Sequence, residues 1–328
     1  MAKKRYVHAI NEALHEEMQR DPRVIVFGED VEVAVLGETK DLRAEFGDRV
    51  RDTPICEATI TGMAVGAAAA GYRVVIHLMF ANFIYTGFDA IANQIAKLPL
   101  MTGGQMKLPI TVLAFYGGGS CQAAQHSDSP HPLLMNLGGV NVVVPATPVD
   151  AKGLIKTAIR GDTPTFVLEP IALAASSGEV PEGDYTVPIG KAQLLQEGSD
   201  VTLITIGSTL RPTQQAAQIL SSEGVSVEVL DVRSLVPLDE GAILKSVAKT
   251  GHVVVVDEAR ERCSAASEIA AILAERAFDS LKAPVQRVAV PNIPMPYAPN
   301  AERAALPTAE RIVSAARLLT EIRRKQSA

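Results

Sequence analysis

Along most of the chain, short runs rich in valine and isoleucine alternate with stretches whose apolar residues recur every three or four positions. The first such stretch places Tyr6, Ile10, Ala13, Leu14 and Met18 on one face of an opening helix. RVIVFGED (23–30) then reads as a buried strand that ends in a glycine and two acids, the usual composition of a strand entering a functional loop. A further strand is expected to end near Ile55, followed by a helix of small residues over 59–70 and the strand YRVVIHLMF over 72–80. Ile84, Phe88, Ile91, Ile95 and Leu98 are spaced 4, 3, 4 and 3 apart, which predicts one continuous amphipathic helix. LPITVLAF (from 108), VNVVVPAT (from 140) and TFVLEP (from 165) supply three more strands, with a helix beginning near Pro148 between the last two. Continuous Val/Ile-rich strands separated by helices imply a parallel sheet covered on both faces.

The rhythm fails between about 171 and 199, where SSGEVPEGDYTVP is rich in Ser, Gly, Pro and acids. A linker is therefore expected at 181–199, between a first domain over 1–180 and a second over 200–328. The second domain repeats the alternation: DVTLITIGS, a helix over 212–222, VSVEVLDV, a helix over 240–249, HVVVVDEA, a long helix over 264–280, VQRVAVPNIP and a last helix from 308. The fold class is α/β in two domains.

A chain of 328 residues accommodates two such units. The formal charge of −6 argues against a nucleic-acid footprint, which needs a basic face, and gives no reason to expect binding to an anionic membrane. The most apolar region, 63–85, contains Gly71, Arg73, His77 and Asn82, so it reads as helix, turn and strand instead of a membrane span. The N-terminus is basic but lacks the apolar core of a signal peptide. Cys56, Cys121 and Cys263 match no zinc spacing, and three scattered thiols fit a reducing cytoplasm better than a disulfide framework.

Three clusters fall at the C-terminal ends of first-domain strands, where open parallel sheets place their ligands. They are TPICEA with Glu57, MFANFIY over 79–85, and YGGGSCQAAQHSDS with His126 and Asp128. Singly, each has an ordinary explanation. Glu57 serves a helix N-terminus well as a favourable negative charge. His126 reads equally as a hydrogen-bonded loop histidine, and Phe83 and Tyr85 as core. Gly117–Gly119 resemble a phosphate loop but lack the Lys-Ser/Thr of a P-loop. Cys121 is a conceivable nucleophile, though lone cysteines are more often inert.

Taken in order, the clusters resemble the beta subunit of the thiamine-diphosphate-dependent decarboxylating component of 2-oxo acid dehydrogenase complexes, of the pyruvate, branched-chain and acetoin types. The matching stretches are FGEDV, FGDRVRDTPICEA, FANFIYTGFDAIANQIAK with TGGQ after it, YGGG with AAQHS, PATPVDAKGL and RSLVPLDE, and they span essentially the whole chain. The resemblance implies a transketolase-like pyrimidine-binding domain with a parallel sheet, a transketolase-type C-terminal α/β domain, and an α2β2 heterotetramer with thiamine diphosphate shared between alpha and beta subunits. Glu57 matches the carboxylate that hydrogen-bonds the pyrimidine nitrogen, and Ile55, Met79 and Phe83 match the apolar wall around that ring, whose burial is expected to raise the pKa of Glu57. His126 matches the histidine that faces the substrate or the lipoyl group. Ile110, Ala158, Ile159, Gly161 and Thr163 fall where relatives hold a structural potassium ion, largely through main-chain carbonyls. No GDG motif occurs in the chain, so magnesium is expected on the alpha subunit.

Three departures stand out. Cys56 occupies a position usually taken by alanine, Leu113 replaces a basic residue common in that strand, and Asp128 puts a negative charge near His126. The reading implied is oxidative decarboxylation of a pyruvate-like 2-oxo acid with acyl transfer to a lipoyl carrier, with a lipoyl acyltransferase as a further partner. Acetoin cleavage or acyloin-forming carboligation is the enzymatic alternative, and a noncatalytic structural subunit the other. Small-residue helices over 59–70 and the 84–98 stripe are expected to face partner subunits.

Overall fold

Two α/β units emerge from the alternating pattern in the computed structural model, which describes residues 1–327, with side chains through Leu319. The first comprises Met1–Tyr116 and Leu133–Ile189, and the second Gly117–Pro132 and the chain from Gly190 onward. The main division thus lies at Ile189, inside the segment read as a linker. The excursion 117–132, by contrast, groups with the second unit, which no linear boundary anticipates.

The first unit contains the strands Ala2–Arg5 (β1), Val24–Gly28 (β2), Val50–Asp52 (β3), Arg73–Phe80 (β4), Ile110–Tyr116 (β5), Asn141–Val143 (β6), Thr165–Pro170 (β7) and Ser177–Val180 (β8). Within it, β6, β7, β5, β4, β2 and β3 lie side by side in that order, all parallel. Every residue of β5 is buried, as a central strand covered on both faces requires. Each fully buried Val or Ile in these strands contributes about 1.5–3 kcal/mol of transfer free energy, so a charged substitution at Val112 is expected to break the sheet's core. The first strand pairs antiparallel with β8, Ala2 opposite Val180. The helices Tyr6–Arg20 and Pro148–Arg160 pack together, tied by ion pairs of Glu16 with Lys152 and Lys156 and of Glu17 with Arg160.

The 84–98 stripe forms no single α-helix. A 3₁₀ turn over Ala81–Tyr85 leads into a π-helical segment, Ala90–Ile95, in which the amide of Ala96 reaches back five residues to the carbonyl of Ile91 at 3.0 Å. Ile84, Ile91 and Ile95 are nevertheless buried, because a wider turn still returns residues spaced three to five apart to one side. The helix after Ile55 begins at Glu57 and ends at Ala69.

In the second unit the strands are Gln193–Gln196 (β9), Val201–Thr205 (β10), Val227–Asp231 (β11), Ser234–Val236 (β12), Val253–Arg260 (β13) and Gln286–Val290 (β14). Its five-stranded sheet runs β14-β13-β10-β11-β9, parallel except for the antiparallel edge strand β9, which lies in the expected linker. Val201, Leu203, Val229, Val254, Val256 and Ile312 form its core beneath the helices Leu210–Ser222 and Ala309–Ser327. Asp239 and Ser264 cap the helices Glu240–Thr250 and Ala265–Arg276 by accepting the amides of Ala242 and Ser267. Among the described residues, no helix is long and apolar enough to cross a membrane.

Candidate active site

Glu57 occupies the first turn of Glu57–Ala69, and no side chain caps that helix. Its carboxyl is 7% exposed, and its Oε2 accepts the hydroxyl of Thr86 at 2.7 Å. The acid also shares a hydrogen bond with Glu29, the residue immediately after β2. Two carboxyls meet here in a place with little water. Burial, then the neighbouring charge of Glu57, pushes Glu29 up to about 7. Glu29 Oε1 has no hydrogen-bond partner among the described residues. The sequence reading named Glu57 and passed over Glu29, although the latter stands at the strand exit marked by its Gly-Glu-Asp composition.

Beside this pair, β4 is irregular. Its pairing with β5 shifts between His77 and Phe80, and Met79 sits at φ +39, in the left-handed region that side chains avoid. Bulges of this kind re-aim side chains next to functional sites. Phe83 lies in the following turn, and its carbonyl lies 2.9 Å from the hydroxyl of Thr86 that reaches Glu57. Met79 and Phe83 are half-buried. Ile55, expected on the same wall, is 82% exposed in this chain.

A second buried group is centred on β4 itself. His77 accepts no solvent contact of note, hydrogen-bonds the Glu29 carbonyl through Nδ1 at 2.8 Å and faces Glu38 Oε1 through Nε2 at 2.6 Å. Burial alone pulls its pKa down, but the hydrogen bond and charge of Glu38 reverse this and carry it up to about 9. Glu169 on β7, fully buried and without a hydrogen-bond partner among the described residues, is pushed by burial up to about 8. Leu113 is fully buried on β5, and its register partner on β4 is His77. A buried histidine therefore adjoins the position from which a basic residue is missing.

His126 belongs to the second unit, on the 117–132 excursion, and is half-buried. The Asp128 carboxylate binds Arg260 Nη2 at 2.7 Å, so its charge is met by a guanidinium. Gly117–Gly119 form no phosphate cradle. The Gly118 amide donates to the carboxylate of Glu258, and a Cβ on Gly117 would collide with that same carboxylate. Cys121 Sγ donates to Glu302 at 3.3 Å, and this acid raises the thiol pKa, which makes Cys121 a poorer nucleophile.

Residues 2–175 match the family model of the transketolase pyrimidine-binding domain, and residues 190–312 that of the transketolase C-terminal domain. The chain is 46% identical over 321 residues to the beta subunit of acetoin:2,6-dichlorophenolindophenol oxidoreductase from Bacillus subtilis, covering 93% of this chain and 94% of that one. It is 42% identical to the beta subunit of the pyruvate dehydrogenase E1 component from Staphylococcus epidermidis, covering 98% of this chain and all of the relative. The chain belongs to this family of dehydrogenase beta subunits. Another relative, the beta subunit of 2-oxoisovalerate dehydrogenase from Bacillus subtilis, is 42% identical and covers 96% of this chain and 98% of its own. A solved split-gene transketolase, described as an inactive beta4 tetramer, aligns with a TM-score of 0.80 at 25% identity over 96% of this chain and 97% of its own.

Within this beta subunit, three of the carbonyls expected to hold potassium accept hydrogen bonds from the chain itself. The Gly161 carbonyl accepts the Arg73 guanidinium at 3.0 Å. The Thr163 carbonyl accepts the Thr165 hydroxyl at 3.0 Å, and the Ala158 carbonyl accepts the Gly161 amide at 3.1 Å. Ile110 and Ile159 are buried and bring no side-chain ligand. No step is therefore assigned to potassium.

Proposed function

We propose that this beta subunit supplies the proton-handling half of a thiamine-diphosphate site, completed by an alpha subunit, in an enzyme that oxidatively decarboxylates a 2-oxo acid and passes the acyl group to a lipoyl carrier. The observation that carries this reading is the buried Glu29–Glu57 pair, with Glu29 near 7 and one of its oxygens unpartnered among the described residues. When bound, thiamine diphosphate supplies a nucleophilic carbon and an electron sink for the departing carboxylate. Glu57, steadied by Thr86, exchanges a proton with the pyrimidine nitrogen. Glu29 is matched to pass a proton to or from Glu57 close to neutral pH. Met79 and Phe83 flank the ring, and His126 meets the substrate or the incoming lipoyl group.

The alpha subunit covers the exposed face of the helix Glu57–Ala69. Thr59, Met63 and Gly66 lie open there, Ile55 projects beside them, and a groove of about 480 Å³ runs past Pro54, Cys56 and Met63. Small residues let a second backbone approach closely, and the exposed Ile55 and Met63 offer it apolar surface. Magnesium belongs to the alpha subunit in this reading, the assembly is α2β2, a lipoyl acyltransferase is a further partner, and the three free thiols suit the cytoplasm. A second reading, acetoin cleavage on the same half-site, is favoured by the identities of 46% and 43% to acetoin-oxidoreductase beta subunits, against 42% for the pyruvate-type relative.

Purification of the tagged chain from its own cell, followed by assay of the complex with each substrate, tests the proposal. A near-equimolar second subunit carrying a GDG motif is expected, with carbon dioxide and acyl-lipoamide as products from a 2-oxo acid. Acetaldehyde from acetoin, without carbon dioxide, selects the second reading. Recovery of the chain alone, unable to bind thiamine diphosphate with any partner, contradicts both.

A further inference from the structure

Residues 117–130 are irregular and include two non-glycine residues in the left-handed region, Cys121 at φ +57 and Ala123 at φ +63. Such conformations persist only where the surroundings over-determine them. Here the restraints come from charged side chains of the second unit. Glu258, fully buried, accepts the Gly118 amide, and the Ser208 hydroxyl donates to the same carboxylate. Glu302 accepts the Cys121 amide through both oxygens, at 3.1 and 3.2 Å. Arg260 Nη2 holds Asp128 at 2.7 Å, while the Asp128 carbonyl accepts the Gly117 amide at 3.0 Å and closes the segment on itself. Asp257 Oδ1 lies 3.0 Å from Nε2 of the fully buried His131. The amides of Ala259 and Ala266, the latter in the first turn of Ala265–Arg276, donate to the same carboxylate.

Three of these four side chains stand within four positions at the end of β13, and their contacts fall at residues 118, 121, 128 and 131, on both sides of His126. Hydrogen bonds with one charged member are about twice as strong as neutral ones, and four of them bracketing one histidine amount to a mount for it. The glycines at 117 and 118 have their explanation in the same arrangement. Side chains there would displace Glu258 and crowd Met295, Glu302 and Leu306.

We propose that Asp257, Glu258, Arg260 and Glu302 are positioning residues for His126, fixing its loop so that the imidazole is presented in one orientation. The proposal rests on the reading that His126 meets the substrate or lipoyl group. It assigns a catalytic duty to the Asp-Glu-Ala-Arg segment, which otherwise reads as an ordinary strand end.

The test uses the holoenzyme reconstituted with its alpha subunit and compares wild type, Arg260→Gln, His126→Gln and the double variant. Arg260 is half-exposed, so its removal spares the core. Arg260→Gln is expected to lower kcat roughly ten- to hundredfold, as small misplacements of a reacting group do, with thiamine diphosphate affinity unchanged. In the His126→Gln background the same change is expected to cost less than about twofold, because the group it positions is gone. Hydrogen exchange across 117–132 is expected to rise while that of β13 holds. Glu302→Gln, at the other end of the loop, is read in the same way should Arg260→Gln misfold. Wild-type kcat in both variants, or an equal loss with and without His126, overturns the positioning role and leaves the reading of His126 intact. Wild-type turnover by His126→Gln itself removes the underlying reading, and the positioning role falls with it.

Discussion

Both units bury carboxyl groups near the ends of parallel strands, but they treat them in opposite ways. In the first unit, Glu169 accepts no hydrogen bond among the described residues and is held up to about 8, while Glu29 keeps one unpartnered oxygen and sits near 7. In the second, burial pushes Asp257 up, but the charge and hydrogen bond of His131 and two backbone amides more than offset it, and its pKa falls below the ordinary range. Its neighbour Glu258 is intermediate. Burial raises it to about 7 although Ser208 and Gly118 donate to it. Donor supply separates Glu169 from Asp257: the acid without donors is held protonated by burial, whereas the acid with donors is held ionised and can serve as an anchor, and Glu258 lies between them. In the proposed reading, the first unit serves proton exchange at Glu57, and the second holds the 117–132 loop.

The sharpest way to break this comparison is to remove an acid from each side. Asp257→Ala leaves His131 buried without its carboxylate and two amides without an acceptor, so a loss of about 3–5 kcal/mol is expected in urea unfolding. An unchanged midpoint would show that the pair anchors nothing. Glu169→Gln is expected to behave in the opposite sense. Its folded pKa of about 8 lies above the ordinary 4.5, so the carboxyl's contribution is whole below about pH 4.5 and is lost as pH rises through about 8. His77, raised from 6.5 to about 9, runs the same way: its contribution is present below about 6.5 and gone above about 9. Wild-type stability should therefore fall between pH 5 and 9, by at most about 1.4 kcal/mol per pH unit for each group, and Glu169→Gln should flatten part of that fall. A variant whose pH profile parallels wild type would place Glu169 outside the account. The smallest effect is expected at the surface pair of Arg317 and Glu223, 2.5 Å apart, where Arg317→Ala should leave the unfolding midpoint in place.

Legibility in the sequence followed the range of the interaction. Strand alternation is local, so the βα series of both units and most helix positions could be read directly. Glu57 was legible because its motif is contiguous. Glu29 was not singled out, since its role depends on meeting Glu57 across 28 positions, and neither residue's surroundings announce the other. His131 had no assignable part because its partner, Asp257, is 126 residues away. The 84–98 stripe identified the buried face but not the pitch, because spacings of three and four do not distinguish an α-helix from a 3₁₀ turn joined to a π-helical one. Gly117–Gly119 were ambiguous for a related reason. Backbone amides suited to a phosphate are equally suited to a carboxylate, and here the anion is Glu258. Ile55 was read as a pocket wall, and in this chain it is a surface residue.

The central claim is that Glu57 exchanges the proton on which turnover depends. The most direct measurement is the rate of the reconstituted complex carrying Glu57→Gln, with thermal unfolding and partner binding followed on the same preparation. The glutamine keeps the shape and the Thr86 contact but cannot exchange a proton, so assembly and stability close to wild type are expected, with a loss of about 10²–10⁴-fold in kcat. Wild-type turnover in a properly assembled Glu57→Gln complex would contradict the account.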